Sequence, residues 1–215
     1  MDVDAPRHLV LQGAGTPADV QVPDRGVSRL HAAIELKPNL AILHMELGRN
    51  LRFLGVYDDA ITAFTFANTL NPSDPEPDYL IARTYATIGE YAKALQYAET
   101  AVNDDTTDAR YRGNYGVMFY RNFRYQEAVE QLKLAVIGGT TDDGFPIQGL
   151  ALNDDPRIAE FHYTYGLALA RTNQCGQALP IAQTLLSKYP EEVAVEDQNA
   201  QIVREAANTM ITVCE

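Results

Sequence analysis

Apolar residues recur along this chain at the three-to-four-residue spacing of amphipathic helices, in blocks separated by short turns that contain glycine or proline. The clearest pair of blocks covers residues 41–53 and 57–70, with a turn at 54–56 and a stop at Pro72. Two amphipathic helices joined by so short a turn predict an antiparallel helical hairpin whose apolar faces pack together.

The pattern of this hairpin returns downstream at a fixed interval. Tyr57, Tyr91 and Tyr125 follow one another at a spacing of 34 residues. The same spacing separates the small residues that lie three positions after them, which are Ala60, Ala94 and Ala128. A constant period of this length indicates stacked helical units, each of which contacts only its neighbours, rather than a single globular core.

The residues of the first hairpin resemble the signature of the tetratricopeptide repeat, a helix–turn–helix unit of 34 residues. The matching positions are Leu47, Gly48, Leu51, Gly55, Tyr57, Ala60, Phe64, Ala67 and Pro72. The next two units keep most of them, with Ala82 for the first small residue of the second unit and Phe123 for the turn glycine of the third. The resemblance implies an all-α, right-handed superhelical solenoid of antiparallel helix pairs.

The repeat period also predicts how the chain is divided. The predicted segments are an irregular N-terminal lead-in (1–22), a half-repeat helix (23–40), three repeats (41–74, 75–108 and 109–142), an insertion (143–158), a fourth repeat (159–192) and a C-terminal capping helix (193–215). Within the insertion, residues 145–147 and 150–152 are apolar and can pair as a small hairpin. Pro146 limits such a hairpin to the edge of a sheet.

Charge and hydropathy exclude several classes of function. The net charge is −12, whereas binding to nucleic acid or to an anionic membrane needs a basic surface, so we expect neither partner. No stretch approaches the roughly 20 apolar residues that cross a bilayer, and the N-terminus lacks a basic-then-apolar signal pattern. We therefore expect the chain as given to be soluble and not inserted in a membrane, in a cytoplasmic or an extracytoplasmic compartment.

Residues suited to catalysis are scarce. His44 and His162 occupy the same position of their repeats, which favours packing or hydrogen bonding at the helix edge over catalysis. Paired aspartates such as Asp58-Asp59 lie at helix starts or in turns, where carboxylates cap backbone amides. No pair of Cys or His residues has metal-ligand spacing. We expect a non-enzymatic protein with no catalytic residues, no metal and no cofactor.

The resemblance implies that the first helix of each repeat lines a concave groove. The groove residues that it assigns here are Met45, Arg49, Arg52, Tyr79, Arg83, Arg110, Tyr120, Arg121, Tyr163 and Arg171. Arginine forks bind carboxylates and tyrosines supply contact area, so this lining suits a protein or peptide partner that is acidic or ends in a carboxylate. The alternative is a solvated face, since Arg52, Arg121 and Arg171 lie near helix C-termini, where cations are favoured in any case.

Three functions remain open. The first is a protein–protein interaction module that binds a peptide or partner segment in the groove. The second is a structural scaffold that associates with itself as a homo-oligomer, and the third is an accessory domain of a larger enzyme or membrane protein.

The two cysteines bear on the compartment. Cys175 begins the second helix of the fourth repeat and Cys214 ends the capping helix, and the two helices should run antiparallel. Their ends meet if the cap begins near Gln198, but not if it begins near Glu192. A bond between them favours an extracytoplasmic compartment, and two free thiols are the alternative.

Overall fold

The computed structural model describes residues 25–215, where it contains eleven helices and one two-stranded sheet. The predicted lead-in at 1–22 lies outside the described residues. The helices are α1 (Arg25–Leu36), α2 (Ala41–Phe53), α3 (Tyr57–Leu70), α4 (Pro75–Thr87), α5 (Tyr91–Asp104), α6 (Ala109–Arg121), α7 (Tyr125–Val136), α8 (Pro156–Arg171), α9 (Cys175–Lys188), α10 (Glu191–Ala194) and α11 (Gln198–Cys214). Successive helices pack in pairs along a solenoid, which confirms the predicted all-α class.

Each tight turn between paired helices contains one residue in the left-handed region of backbone space. Glycine takes this place in the first two pairs, at Gly55 (φ 79°) and Gly89 (φ 84°). Phe123 (φ 62°) and Asn173 (φ 60°) take it in the third and fourth pairs. A left-handed residue ends a helix and reverses the chain, so Phe123 makes the turn without glycine at a local cost of roughly 1–2 kcal/mol.

The two helices of the first pair approach closely at Gly48. The Phe64 side chain of α3 is fully buried against this glycine, and a Cβ added at Gly48 would lie 2.5 Å from the Phe64 ring. Ala60 on the same helix is also fully buried. The signature residues therefore act in packing, since small residues bring the helices together and a large ring fills the space beside them.

The loops between repeats are tied to the helix that follows them by a polar side chain. Nε2 of His44 lies 2.8 Å from the carbonyl oxygen of Pro38, and Nε2 of His162 lies 2.8 Å from that of Leu150. At the corresponding position of the third repeat, Nε of Arg112 donates to the carbonyl of Thr106 at 2.8 Å. His44 and His162 thus make the edge hydrogen bonds that the sequence predicts for them.

A carboxylate occupies this position in the second repeat. Asp78 is only 3% exposed and accepts a hydrogen bond of 2.9 Å from Nδ2 of Asn68. Burial, together with the charge of Asp104, raises the pKa of Asp78, although the Asn68 hydrogen bond opposes the shift. The ionised form of Asp78 is therefore less favourable in the folded protein than in the unfolded chain.

We expect this carboxylate to reduce stability as pH rises. Because the pKa of Asp78 is higher in the folded state, the folded protein binds more protons between the unfolded and folded pKa values, so this contribution to stability falls as pH rises from about 4. Asp78→Asn should raise the thermal midpoint at pH 8, with a gain that shrinks towards pH 4. Thermal unfolding across this range checks it, with exposed Asp143→Asn as the control. Equal pH slopes for wild type and Asp78→Asn would contradict it.

The chain forms a hairpin that begins before the predicted insertion, within the predicted third repeat, and its pairing differs from the predicted one. Strands β1 (Gly138–Thr140) and β2 (Pro146–Gln148) pair antiparallel, so the predicted partner of 145–147, residues 150–152, was wrong. Gly138 (φ 90°) turns the chain back directly after α7. Leu150 and Leu152 instead pack against the hydrophobic core, and the Leu150 amide donates to the carbonyl of Ala135 at 2.8 Å.

Two helix starts near the C-terminus differ from the sequence prediction. Helix α8 begins at Pro156, ahead of the predicted start of the fourth repeat at 159, because Asp155 caps it by accepting from the Arg157 amide at 2.9 Å. The cap, predicted as one helix, is divided into short α10 and the longer α11. The division of the chain into repeat units itself remains a prediction.

A disulfide joins the two cysteines across the C-terminal end of the solenoid. Helix α11 begins at Gln198, which is the start that brings Cys214 close to Cys175. The two residues are bonded, with their Cα atoms 5.5 Å apart. The bond fastens the end of the capping helix to the start of α9.

Candidate functional site

Helices α2, α4, α6 and α8 together line a hollow of about 220 Å³, which we call the central hollow. Its lining is formed by Arg52, Arg83, Ala86, Thr87, Tyr91, Asn114, Val117, Met118, Arg121 and Glu160. Three of these residues are arginines and one is a glutamate. The structure therefore brings together Arg52, Arg83 and Arg121 from the predicted groove residues.

The single carboxylate of the hollow, that of Glu160, forms an ion pair with only one of the arginines. Nη2 of Arg121 lies 3.8 Å from Oε1 of Glu160. Burial raises the pKa of Glu160, whereas the charges of Arg121 and Arg83 oppose that rise. Among residues 25–215, Arg52 and Arg83 belong to no ion pair. Arg83 is held instead by Tyr79, whose hydroxyl accepts from Nη1 at 3.3 Å.

Two donors in the hollow have no hydrogen-bond partner within the described part of the chain. They are Nε of Arg52 and Nδ2 of Asn114, and both atoms are buried. Asn114 is only 5% exposed, and an unsatisfied buried donor costs roughly 1–3 kcal/mol. Burial, reinforced by the charge of Arg83, lowers the pKa of Arg52. The hollow is therefore short of acceptors and of negative charge.

Asn114 was missed by the sequence analysis. It lies on α6, a helix that the family resemblance places at the groove, but Asn114 itself is not among the groove residues that the resemblance assigns. The signal that could have identified it is a side-chain amide next to small and apolar residues of the same helix. Buried amides are normally hydrogen-bonded, so an amide at such a position raises the question of its partner.

Two of the predicted groove arginines are neutralised by carboxylates of the chain itself. Arg49 pairs with Glu46 at 2.6 Å and with Glu76 at 3.1 Å. Arg110 pairs with Asp108 at 2.6 Å, and hydrogen bonding to Asp108 raises the pKa of Arg110. Neither arginine lines the central hollow, so both have less to offer an acidic ligand than Arg83.

Two other predicted groove residues lie in the hydrophobic core. Met45 is 4% exposed and Tyr79 is 2% exposed, and both belong to the cluster around the first two repeats. The Tyr79 ring packs on Tyr111, with ring centroids 5.3 Å apart. Both side chains are therefore buried, and the Tyr79 hydroxyl accepts from Arg83, while their contact with a ligand remains a prediction.

The remaining predicted residues do not line the central hollow. Tyr120 is half-buried, 5.3 Å from the ring of Tyr125, and Arg171 is exposed at the end of α8. Tyr163 lines a second, larger hollow of about 380 Å³, which also includes Arg83 and Glu160 and is closed by residues of α11. The two hollows thus share Arg83 and Glu160 in their linings, and together we call them the groove.

In the central hollow, the guanidinium and amide donors outnumber the single carboxylate of Glu160, and such donors bind anions and hydrogen-bond acceptors. The larger hollow is mixed in charge, since Asp154, Asp197 and Lys188 also line it. In residues 25–215, no set of three or more His, Cys, Asp or Glu side chains is placed to hold a metal ion. No helix in the same range has the length and hydropathy to cross a membrane.

Comparison with known proteins agrees with the repeat pattern. The tetratricopeptide repeat family model matches residues 54–113, and no curated protein matches the sequence. Among solved structures, YrrB, described as a TPR protein with an unusual peptide-binding site, superposes with a TM-score of 0.62 at 18% identity, over 87% of this chain and 91% of YrrB.

Two further solved structures share the architecture. A thermophilic TPR protein from Thermus thermophilus, TTC0263, has a TM-score of 0.57 at 16% identity, over 85% of this chain and 89% of its own. The APC/C hetero-tetramer Cut9-Hcn1 has a TM-score of 0.61 at 15% identity, over 87% of this chain and 35% of the matched chain. At such identities the structures establish the fold alone. Together with the tetratricopeptide repeat match over residues 54–113, they show that this chain has the fold of a tetratricopeptide-repeat solenoid.

Proposed function

We propose that this protein binds an acidic segment of a partner protein in its concave groove, with the acidic group in the central hollow. The observation that carries the proposal is a pair of buried donors, Nε of Arg52 and Nδ2 of Asn114, beside the cation of Arg83. Within residues 25–215 neither donor has an acceptor and Arg83 has no ion-pair partner. A carboxylate supplies both the acceptor oxygens and the negative charge that the hollow lacks.

The surroundings of the hollow support an extended ligand rather than an isolated carboxylate. The larger hollow continues past Arg83 and Glu160 towards Tyr163, Val193 and Ile202, which offer apolar contact area. Val193 is 45% exposed and Ile202 is 43% exposed. A segment with an acidic residue beside an apolar one therefore fits the groove, since it reaches both hollows at once.

Peptide binding to the full chain tests this function. We expect a glutamate-containing peptide to bind and its glutamine counterpart to bind at least about tenfold more weakly, because hydrogen bonds to charged groups contribute roughly 1.5–3 kcal/mol. Arg83→Ala and Asn114→Ala should each weaken binding of the glutamate peptide, as measured by fluorescence anisotropy. Affinity should also fall as salt rises.

A matched control separates the groove from overall charge. Arg124→Ala removes the same charge from an exposed arginine that pairs with Glu127 at 2.9 Å, outside both hollows, and should leave binding unchanged. Equal losses for Arg83→Ala and Arg124→Ala would overturn the assignment of the groove. Circular dichroism of each variant checks that the repeats remain folded.

A further inference from the structure

The central hollow carries more positive charge than one carboxylate can neutralise. Its lining contributes the guanidiniums of Arg52, Arg83 and Arg121 and the single carboxylate of Glu160. Two positive charges therefore remain when all four groups are ionised. A carboxylate ligand would balance one of them and leave the other half-buried and uncompensated, which is unfavourable in a low-dielectric site.

We propose that the central hollow recognises a phosphoryl dianion, carried on a phosphorylated side chain of the partner segment. This inference rests on the proposed function and specifies the acidic group. A phosphorylated side chain carries a charge of about −1.5 to −2 at pH 7 and has three acceptor oxygens. That charge matches the excess of the hollow, and the oxygens can accept from Arg52, Arg83 and Asn114 together.

The two unpartnered donors distinguish this site from a simple patch of positive charge. A delocalised positive surface needs no directed hydrogen bonds, whereas Nε of Arg52 and Nδ2 of Asn114 are buried and lack acceptors among the described residues. Asn114 is neutral, so it can contribute a directed hydrogen bond but no charge. A ligand with several acceptor oxygens satisfies both donors and still leaves an oxygen for Arg83.

The position of the hollow within the groove favours a phosphate that is attached to a peptide. The central hollow shares Arg83 and Glu160 with the larger hollow of about 380 Å³. Residues that flank a phosphorylated side chain can lie there against Tyr163 and the capping helix. Free phosphate has no group to make these contacts and should bind more weakly.

Glu160 should oppose the bound anion. Its carboxylate lies 3.8 Å from Arg121 and lines both hollows. A bound anion would therefore lie near this negative charge and be repelled by it. The charged groups that act on Glu160 are the guanidiniums of Arg121 on α6 and Arg83 on α4. Glu160→Gln keeps the shape of the side chain and removes this repulsion, so it should tighten binding of a dianion.

Three matched peptides test the proposal by calorimetric titration of the full chain. They share one sequence, are acetylated and amidated so that the termini are uncharged, and carry phosphoserine, glutamate or serine at the centre. We expect the phosphoserine peptide to bind at least about tenfold tighter than the glutamate peptide, and serine to bind weakest. Arg52→Lys, which keeps the charge but removes the Nε donor, should weaken binding of the phosphoserine peptide, whereas Arg124→Ala should leave it unchanged.

Each result decides between the hypotheses. Equal affinities for phosphoserine and glutamate peptides, both lost in Arg83→Ala, would overturn the phosphoryl proposal and leave the acidic groove in place. Failure of both peptides to bind would overturn the groove as well. Orthophosphate binding as tightly as the phosphoserine peptide would show a free-anion site and overturn the peptide-borne ligand. Tighter phosphoserine binding in Glu160→Gln, with the preference over glutamate retained, would support the proposal.

Discussion

Reduction of the bond between Cys175 and Cys214 is expected to lower the free energy of unfolding by about 4 kcal/mol. The bond links residues 39 positions apart in sequence, so it removes much of the conformational freedom of the unfolded chain. The folded end should change little, because Met210, Val203 and Ala207 of α11 remain buried without the bond. The destabilisation should therefore come mainly from the unfolded state.

Denaturant unfolding of the oxidised and reduced protein measures this effect. The variant with both Cys175→Ser and Cys214→Ser should unfold like the reduced protein and should not respond to reductant. Because the bond also keeps the unfolded chain compact, we expect the slope of the transition to be steeper without it. Identical midpoints for the oxidised and reduced protein would contradict the prediction.

The fold was predictable because its determinants are local and repeated. The 34-residue period, the small residue at Gly48 and the turn residue at Gly55 define one hairpin, and the recurrence of that hairpin defines the solenoid. The meeting of Cys175 with Cys214 could be predicted only as conditional on where the cap begins. The insertion has no repeat period that could define its strand register, so the strand pairing predicted for it was wrong.

The composition of the site depends on packing between distant parts of the chain, which a sequence pattern does not contain. Arg49 and Arg83 occupy equivalent positions, but only Arg49 has Glu76 within reach, at 3.1 Å. Tyr79 is buried because Tyr111 of the next repeat packs on it. The family resemblance therefore predicted which helices line the groove, whereas the availability of each side chain follows from its partners in other repeats.

The close contact of Phe64 with Gly48 leads to the other large expected effect. Phe64→Ala should lower the free energy of unfolding by about 3–5 kcal/mol, because the ring is fully buried and its loss leaves a cavity between α2 and α3. Phe53 provides the control within the same repeat, since it is 90% exposed. Phe53→Ala should change stability by no more than about 0.5 kcal/mol.

A double-mutant cycle tests whether the glycine and the ring act as one unit. Gly48→Ala alone should destabilise the protein, because its new Cβ would lie 2.5 Å from the Phe64 ring. In the Phe64→Ala background that ring is absent, so the same substitution should cost little or even stabilise α2 through the higher helix propensity of alanine. Denaturant unfolding of the four proteins measures the coupling, and additive effects would contradict the predicted contact.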